Sequence, residues 1–185
     1  ASMHILVLGA GVVGTTTAWY LQKQGHQVTV VDRQNQAGLE TSYANGGQIS
    51  VSHAEPWANP SAPLKVMKWL FQPDAPLLFR PRLDPAQWRW ALSFLGQCTS
   101  ARAAHNIRQM VNLGTYSRSQ LQALRNEAGI EYNHLEKGIQ HFYTNPAEFD
   151  GAMEPTRIMQ DLGCDRQIID ADRAVELEPA LKPIR

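Results

Sequence analysis

Three glycines near the start of the chain limit its fold more than any other feature. Gly9-Ala10-Gly11-Val12-Val13-Gly14 follows directly on Ile5, Leu6, Val7 and Leu8, a continuous apolar run. Such a run suits a parallel strand buried on both faces. Residues 15–24 read as a helix and Gly25 as its exit. Val28 to Val31 repeat the buried-strand pattern, and Asp32 ends it. Strand, glycine turn, helix and strand within about thirty residues make one right-handed β-α-β unit. GxGxxG alone is a weak pattern. Here a strand precedes it, a helix follows it, and an acid closes the next strand.

That context gives each residue a task. Gly9 permits the tight turn, Gly11 lets a pyrophosphate approach the backbone, and Gly14 lets the helix lie close on the sheet. The helix N-terminus, from Ala10 through Val12 and Val13, offers N–H groups and partial positive charge to phosphate. Asp32 is placed to accept hydrogen bonds from an adenosine ribose, and its charge opposes a 2′-phosphate. Arg33 beside it counts with Asp32 among the expected cofactor-binding residues, although its side chain is expected to point to solvent. The reading at this level is an α/β, Rossmann-like nucleotide-binding unit. A nicotinamide-dependent dehydrogenase and a non-catalytic nucleotide-binding module both remain open to it.

Bulk properties remove other classes. Seventeen basic and seventeen acidic side chains balance to zero, so charge makes no case for a nucleic-acid partner. Cys98 and Cys164 are far apart, which argues against a zinc site or disulfide framework, and no metal is expected. No apolar run reaches the roughly 18 residues of a membrane span. The expected address is cytoplasmic. Farther along, helices are expected at 85–99, at 101–128 with a break near Gly114, at 146–162 and at 171–177, with short helical pieces within 57–95. Strands are expected at 130–133 and 138–144, paired antiparallel, with a short one at 167–169.

The segment after Asp32 narrows the cofactor. A nicotinamide dehydrogenase should place another helix here. Leu39-Glu40-Thr41-Ser42-Tyr43-Ala44-Asn45-Gly46-Gly47-Gln48-Ile49-Ser50 is instead a loop of small and hydroxyl-bearing residues, suited to run along a large cofactor. With these residues, Val31-Asp32-Arg33, the stretch from Pro63-Leu64-Lys65 through Trp69-Leu70, Gly138-Ile139-Gln140 and Glu176-Leu177-Glu178-Pro179, the chain resembles the D-amino-acid dehydrogenase small-subunit family. That family belongs to the glycine oxidase and sarcosine oxidase group of flavoproteins.

The resemblance implies a glutathione-reductase-type FAD domain at 1–56. It also implies a helical and antiparallel-sheet substrate domain over 57–185, both incomplete in this chain. It implies non-covalent FAD and oxidative deamination of a D-amino acid. Hydride would pass from Cα to flavin N5, and the imino acid would hydrolyse to a 2-oxo acid and ammonia. By matching positions, Thr41 and Ser42 would lie near the pyrophosphate, and Asn45, Gly46, Gly47, Gln48 and Ile49 beside the ribityl chain and flavin ring. In relatives the polypeptide continues, which suggests a second polypeptide carrying the C-terminal half.

Side chains beyond the loop offer weaker candidates. His53, with Glu55, follows the cofactor loop and could face substrate, against the plainer reading of a structural hydrogen bond. His141 and Tyr143 would share one face of the expected sheet. Four tryptophans, Trp57, Trp69, Trp88 and Trp90, fall within 34 residues. From residue 57 to 95, Lys65, Lys68, Arg80, Arg82 and Arg89 face only Asp74 and Asp84, a net +3. Such a surface suits peripheral contact with the cytoplasmic face of an inner membrane and its quinone.

Overall fold

The computed structural model describes residues 1–69 and 80–182. The chain divides into two compact units, 1–48 and 49–185. The part of the tryptophan-rich stretch at 70–79, with Asp74, lies outside the described residues.

The first unit is the β-α-β arrangement. Strand β1, His4–Leu8, leads into helix α1, Val12–Lys23, and then strand β2, Gln27–Val31. The strands pair in parallel, from His4 opposite Gln27 to Leu8 opposite Val31. The Gly9 amide extends the ladder by donating to the Val31 carbonyl at 2.7 Å. Helix α1 begins at Val12, three residues before its expected start, because Gly11 already serves as its extended N-cap. Burial of both sheet faces does not hold. Ile5 and Val7 are half-buried, whereas Leu6 is 59% and Leu8 78% exposed. One helix on a two-stranded sheet covers one face only.

The second unit is helical. Its helices are α2 (Ala62–Trp69), α3 (Pro85–Gln97), α4 (Ser100–Ala128), α5 (Pro146–Gly151), α6 (Met153–Asp161) and α7 (Ala171–Leu177). Local chemistry sets the starts. Asp84 accepts from the Ala86 amide at 2.8 Å with Pro85 in the first turn, and Asn145 does the same for Ala147 at 2.9 Å ahead of Pro146. Thr99, expected as the tail of α3, instead caps α4 by accepting from the Arg102 amide. Ala103, Ile107 and Val111 recur every fourth residue on α4 and bury one stripe of it. Ile107 and Val111 meet Met159 of α6 and Ala54 to form the core, with Leu162 and Cys164 packed against it.

Three expectations fail here for physical reasons. Helix α4 runs unbroken through Gly114, whose open face lies against Val51; a Cβ there would meet Val51 Cγ1 at 3.5 Å, an ordinary contact. The helix expected over 146–162 is split at Ala152, just after Gly151. Pro155 has no N–H, and its ring crowds the carbonyl four residues earlier, which is that of Gly151. Residues 130–133, 138–144 and 167–169 form no strands. A strand exists only where a neighbour completes its backbone ladder, and among the described residues none pairs with these. The 138–144 segment is held through side chains, with Gln140 Nε2 donating to the Ala174 carbonyl at 3.1 Å.

A glycine crevice with an acid at its edge

The turn between β1 and α1 folds against the loop that follows β2. Gly9 adopts φ +101°, where a Cβ would be strained. Its carbonyl faces Gly14 so closely that a Cβ on Gly14 would lie 1.8 Å from the oxygen. The loop ties back through the Gly38 amide, which donates to the Ala10 carbonyl at 2.9 Å. Between them lies an open crevice of about 220 Å³ walled by Gly9, Gly11, Asp32 and residues 38–42. That volume is below the ~300–1,000 Å³ that takes a whole drug-sized ligand. It suits one section of a dinucleotide.

Asp32 is fixed by backbone. Its Oδ2 accepts from the Ala10 amide at 2.6 Å and its Oδ1 from the Gln34 amide at 2.8 Å. These bonds, Ala10 first and then Gln34, hold the carboxyl below its ordinary value against partial desolvation and the charge of Glu40. An ionised carboxylate accepts about four hydrogen bonds, so acceptor capacity remains for a ligand hydroxyl.

The Arg33 side chain is exposed, as expected, yet its guanidinium is engaged. Its Nη2 donates to Glu40 Oε2 at 2.6 Å, and its Nε donates to Oε1 of the same carboxylate. Gln34 Nε2 adds a third donor at 3.0 Å. Chiefly through the Arg33 hydrogen bonds, the Glu40 carboxyl is lowered to about 2. Gly38, Leu39 and Glu40 also belong to the crevice, although no sequence signal marks them singly as contacts. The spacing of Arg33 and Glu40, seven apart across a turn, gave no periodic signal.

Ser42 has an unexpected partner. Gly11 has no side chain with which to cap α1, and Ser42 Oγ accepts from the Val12 amide at 2.9 Å instead. Val13 and Gly14 follow in the first turn, where amides have no intrahelical acceptor. Asn45 turns inward on its own loop. Its Nδ2 donates to the Thr41 carbonyl at 3.0 Å, and its Oδ1 accepts from the Gly47 amide at 2.7 Å. Gly9, Gly11, Asp32, Thr41 and Ser42 therefore meet around one crevice, with Ala10 and Val12 bound at its edges. Gly46, Gly47, Gln48 and Ile49 are not part of its described walls.

The second unit separates the two catalytic candidates. The His53 ring stacks on His141, with centroids 4.5 Å apart and 25° between planes. Tyr143 instead meets Phe149 edge-on at 5.8 Å. Desolvation, then the nearby positive groups His53 and Arg166, lowers the His141 pKa and favours its neutral form. Arg166 fixes the segment around His53. It donates to the Ser52 carbonyl at 3.0 Å and pairs with Glu55 at 3.5 Å.

A family model described as FAD dependent oxidoreductase matches residues 4–185. The chain belongs to that family. It is 59% identical over 183 residues to a D-amino acid dehydrogenase of Dechloromonas aromatica (strain RCB), covering 99% of this chain and 44% of the relative. A D-amino acid dehydrogenase of Paramagnetospirillum magneticum is 51% identical, with the same coverage on both sides. One of Agrobacterium fabrum is 46% identical over 99% of this chain and 44% of its own. The chain thus spans less than half the length of these relatives. No solved structure gives a significant match. Among the described residues no helix is long and apolar enough to cross a membrane, and no group of three or more His, Cys, Asp or Glu side chains could hold a metal ion.

The family is FAD-dependent, and the crevice fits part of that cofactor. An ADP moiety needs a diphosphate cradle without Cβ atoms, amides at a helix start and a ribose acceptor. Gly9, Gly11 and Gly14, the first turn of α1, and Asp32 have those properties.

Proposed function

We propose that this chain supplies the ADP-binding part of an FAD-dependent D-amino-acid dehydrogenase with a Rossmann-like cofactor domain. The observation that carries the reading is the crevice where the start of α1, the bare backbone of Gly11 and the carboxylate of Asp32 converge. Gly9 and Gly11 let the diphosphate reach the backbone, and the first-turn amides of α1 bind its charge. Asp32 accepts from the adenosine ribose. Thr41 and Ser42 close the phosphate side. The bound flavin supplies the two-electron acceptor for oxidation of the Cα–N bond. Substrate and electron acceptor are those of the whole protein, and high identity to D-amino acid dehydrogenases supports the choice of substrate class.

The purified full-length enzyme is expected to show a flavin absorption band that bleaches on anaerobic addition of D-alanine. A colourless protein that yields a nicotinamide nucleotide on extraction sinks the proposal. A flavin band indifferent to every D-amino acid removes the substrate class alone.

The proposal extends to peripheral contact with an anionic membrane that carries quinone. Trp57 is 83% and Trp90 60% exposed, and α3 has no buried residue. From residue 57 to 97 the sequence carries five basic side chains (Lys65, Lys68, Arg80, Arg82, Arg89) against Asp74 and Asp84. Such a surface is attracted to anionic headgroups and seats indole rings at the interface. Co-sedimentation of the full-length enzyme with phosphatidylglycerol vesicles is expected at low salt. W57S/W90S should lose most of it, and retention by that variant counts against this surface.

A further inference from the structure

The crevice presents an electrostatic difficulty. Two acidic residues, Asp32 and Glu40, contribute to its walls, whereas the ligand proposed for it carries a diphosphate. Asp32 has backbone partners and a role at the ribose. Glu40 has no such role, and it lies two residues before Ser42, whose hydroxyl sits on the first amide of α1. A crevice of about 220 Å³ is only a few ångströms across. Any phosphate inside it therefore lies within the ~8 Å over which charges act at physiological salt. A bare Glu40 would repel it.

Glu40 is not bare. Arg33 grips both its oxygens, and Gln34 adds a third N–H donor. Arg33 is not part of the crevice wall, and its side chain is 79% exposed. The guanidinium therefore holds both carboxylate oxygens from outside the wall to which Glu40 belongs. With its pKa lowered to about 2, Glu40 stays ionised under any ordinary assay. What cancels its charge is the pairing, not protonation.

We propose that Arg33 is a positioning residue for the cofactor that acts by neutralising Glu40 on the crevice wall, without itself binding phosphate. This rests on the reading of the crevice as a dinucleotide site. It yields an unusual pattern of variants, because loss of the arginine should be repaired by loss of the glutamate.

The test uses full-length enzyme stripped of flavin, with dissociation constants measured for FAD, ADP and adenosine. R33Q is expected to weaken FAD and ADP on the order of tenfold at low salt, as one uncompensated charge at this range would. Adenosine, lacking phosphate, should be unaffected. R33Q/E40Q should recover most of the loss, E40Q alone should bind at least as tightly as the wild type, and 0.5 M salt (an assay condition of about this strength, chosen to shorten the screening length) should narrow the R33Q deficit. If the pair matters only mechanically, by bracing the turn in which the Tyr43 and Ala44 amides donate to the Glu40 carbonyl, the double variant will be no better than R33Q and adenosine will weaken too. That result overturns the proposal. If Arg33 binds phosphate directly, E40Q will not rescue, which also overturns it. Wild-type enzyme that binds neither FAD nor ADP would instead remove the underlying reading of the crevice.

Discussion

Gly14→Ala is expected to leave the full-length enzyme without retained flavin and less stable by more than ~3 kcal/mol. The added Cβ would lie 1.8 Å from the Gly9 carbonyl oxygen, 2.9 Å from its carbon and 3.5 Å from Val7 Cγ1. The two closest atoms are backbone, so no side-chain rotation relieves the clash. Helix α1 would have to lift from the sheet, and the first-turn amides would leave the crevice with it. A melting curve and the bound-flavin absorbance read the two losses. Gly11→Ala separates them: its Cβ meets only Ser42 Oγ, at 3.1 Å, which a shift of a few tenths of an ångström relieves without loss of the Ser42 bond to the Val12 amide. This variant should fold with little change in melting temperature yet hold flavin poorly, because the methyl intrudes where phosphate approaches. Gly96→Ala in α3, with nothing within 4 Å of the new Cβ, is the control. Helix propensity alone should make it neutral or stabilising by up to ~1 kcal/mol. A Gly14→Ala protein that melts like the wild type and stays yellow would contradict this account of the turn.

The first unit was legible because its determinants are local. Apolar runs, glycine spacing and the acid at residue 32 all lie within one β-α-β unit, and the strand register follows from that unit's own chain. Distance along the chain is what hid the rest. Ser42 reaches back thirty residues to the Val12 amide. Arg33 meets Glu40 across an irregular turn. His53 finds His141 from the far side of α4 in sequence. The aromatic and β-branched residues at 138–144 suit a strand, but composition describes one segment and a strand needs a paired neighbour. Residues 130–133 failed for the same reason. The interruption of the helix at Ala152 differs in kind: Pro155 stands in plain view, and its clash with the carbonyl four residues earlier is a rule the sequence alone could have applied. Gly114 misled in the opposite sense, since a glycine within a helix can serve close approach, here to Val51, as readily as it breaks the helix.

Asp32→Ala should weaken FAD by about 10- to 100-fold, the range expected when a charge-assisted hydrogen bond disappears. Two losses combine. The ribose loses its acceptor, and the Ala10 and Gln34 amides lose the carboxylate that fixes the glycine turn. Asp32→Asn divides them, because an amide keeps one oxygen and turns an NH₂ toward one of the two N–H donors. It should fall between wild type and alanine. The carboxyl is held below its ordinary 3.8 by those amide bonds. Its contribution is therefore present above about that pH and lost as pH falls through the lower, folded-state value. Ligand series should tell this residue from its neighbour. Loss of Asp32 should weaken adenosine, ADP and FAD together, since all three carry the ribose, whereas loss of Arg33 should spare adenosine. If Asp32→Ala weakened ADP but left adenosine untouched, the carboxylate would belong to the phosphate side of the crevice, and the orientation proposed for the nucleotide would have to be reversed.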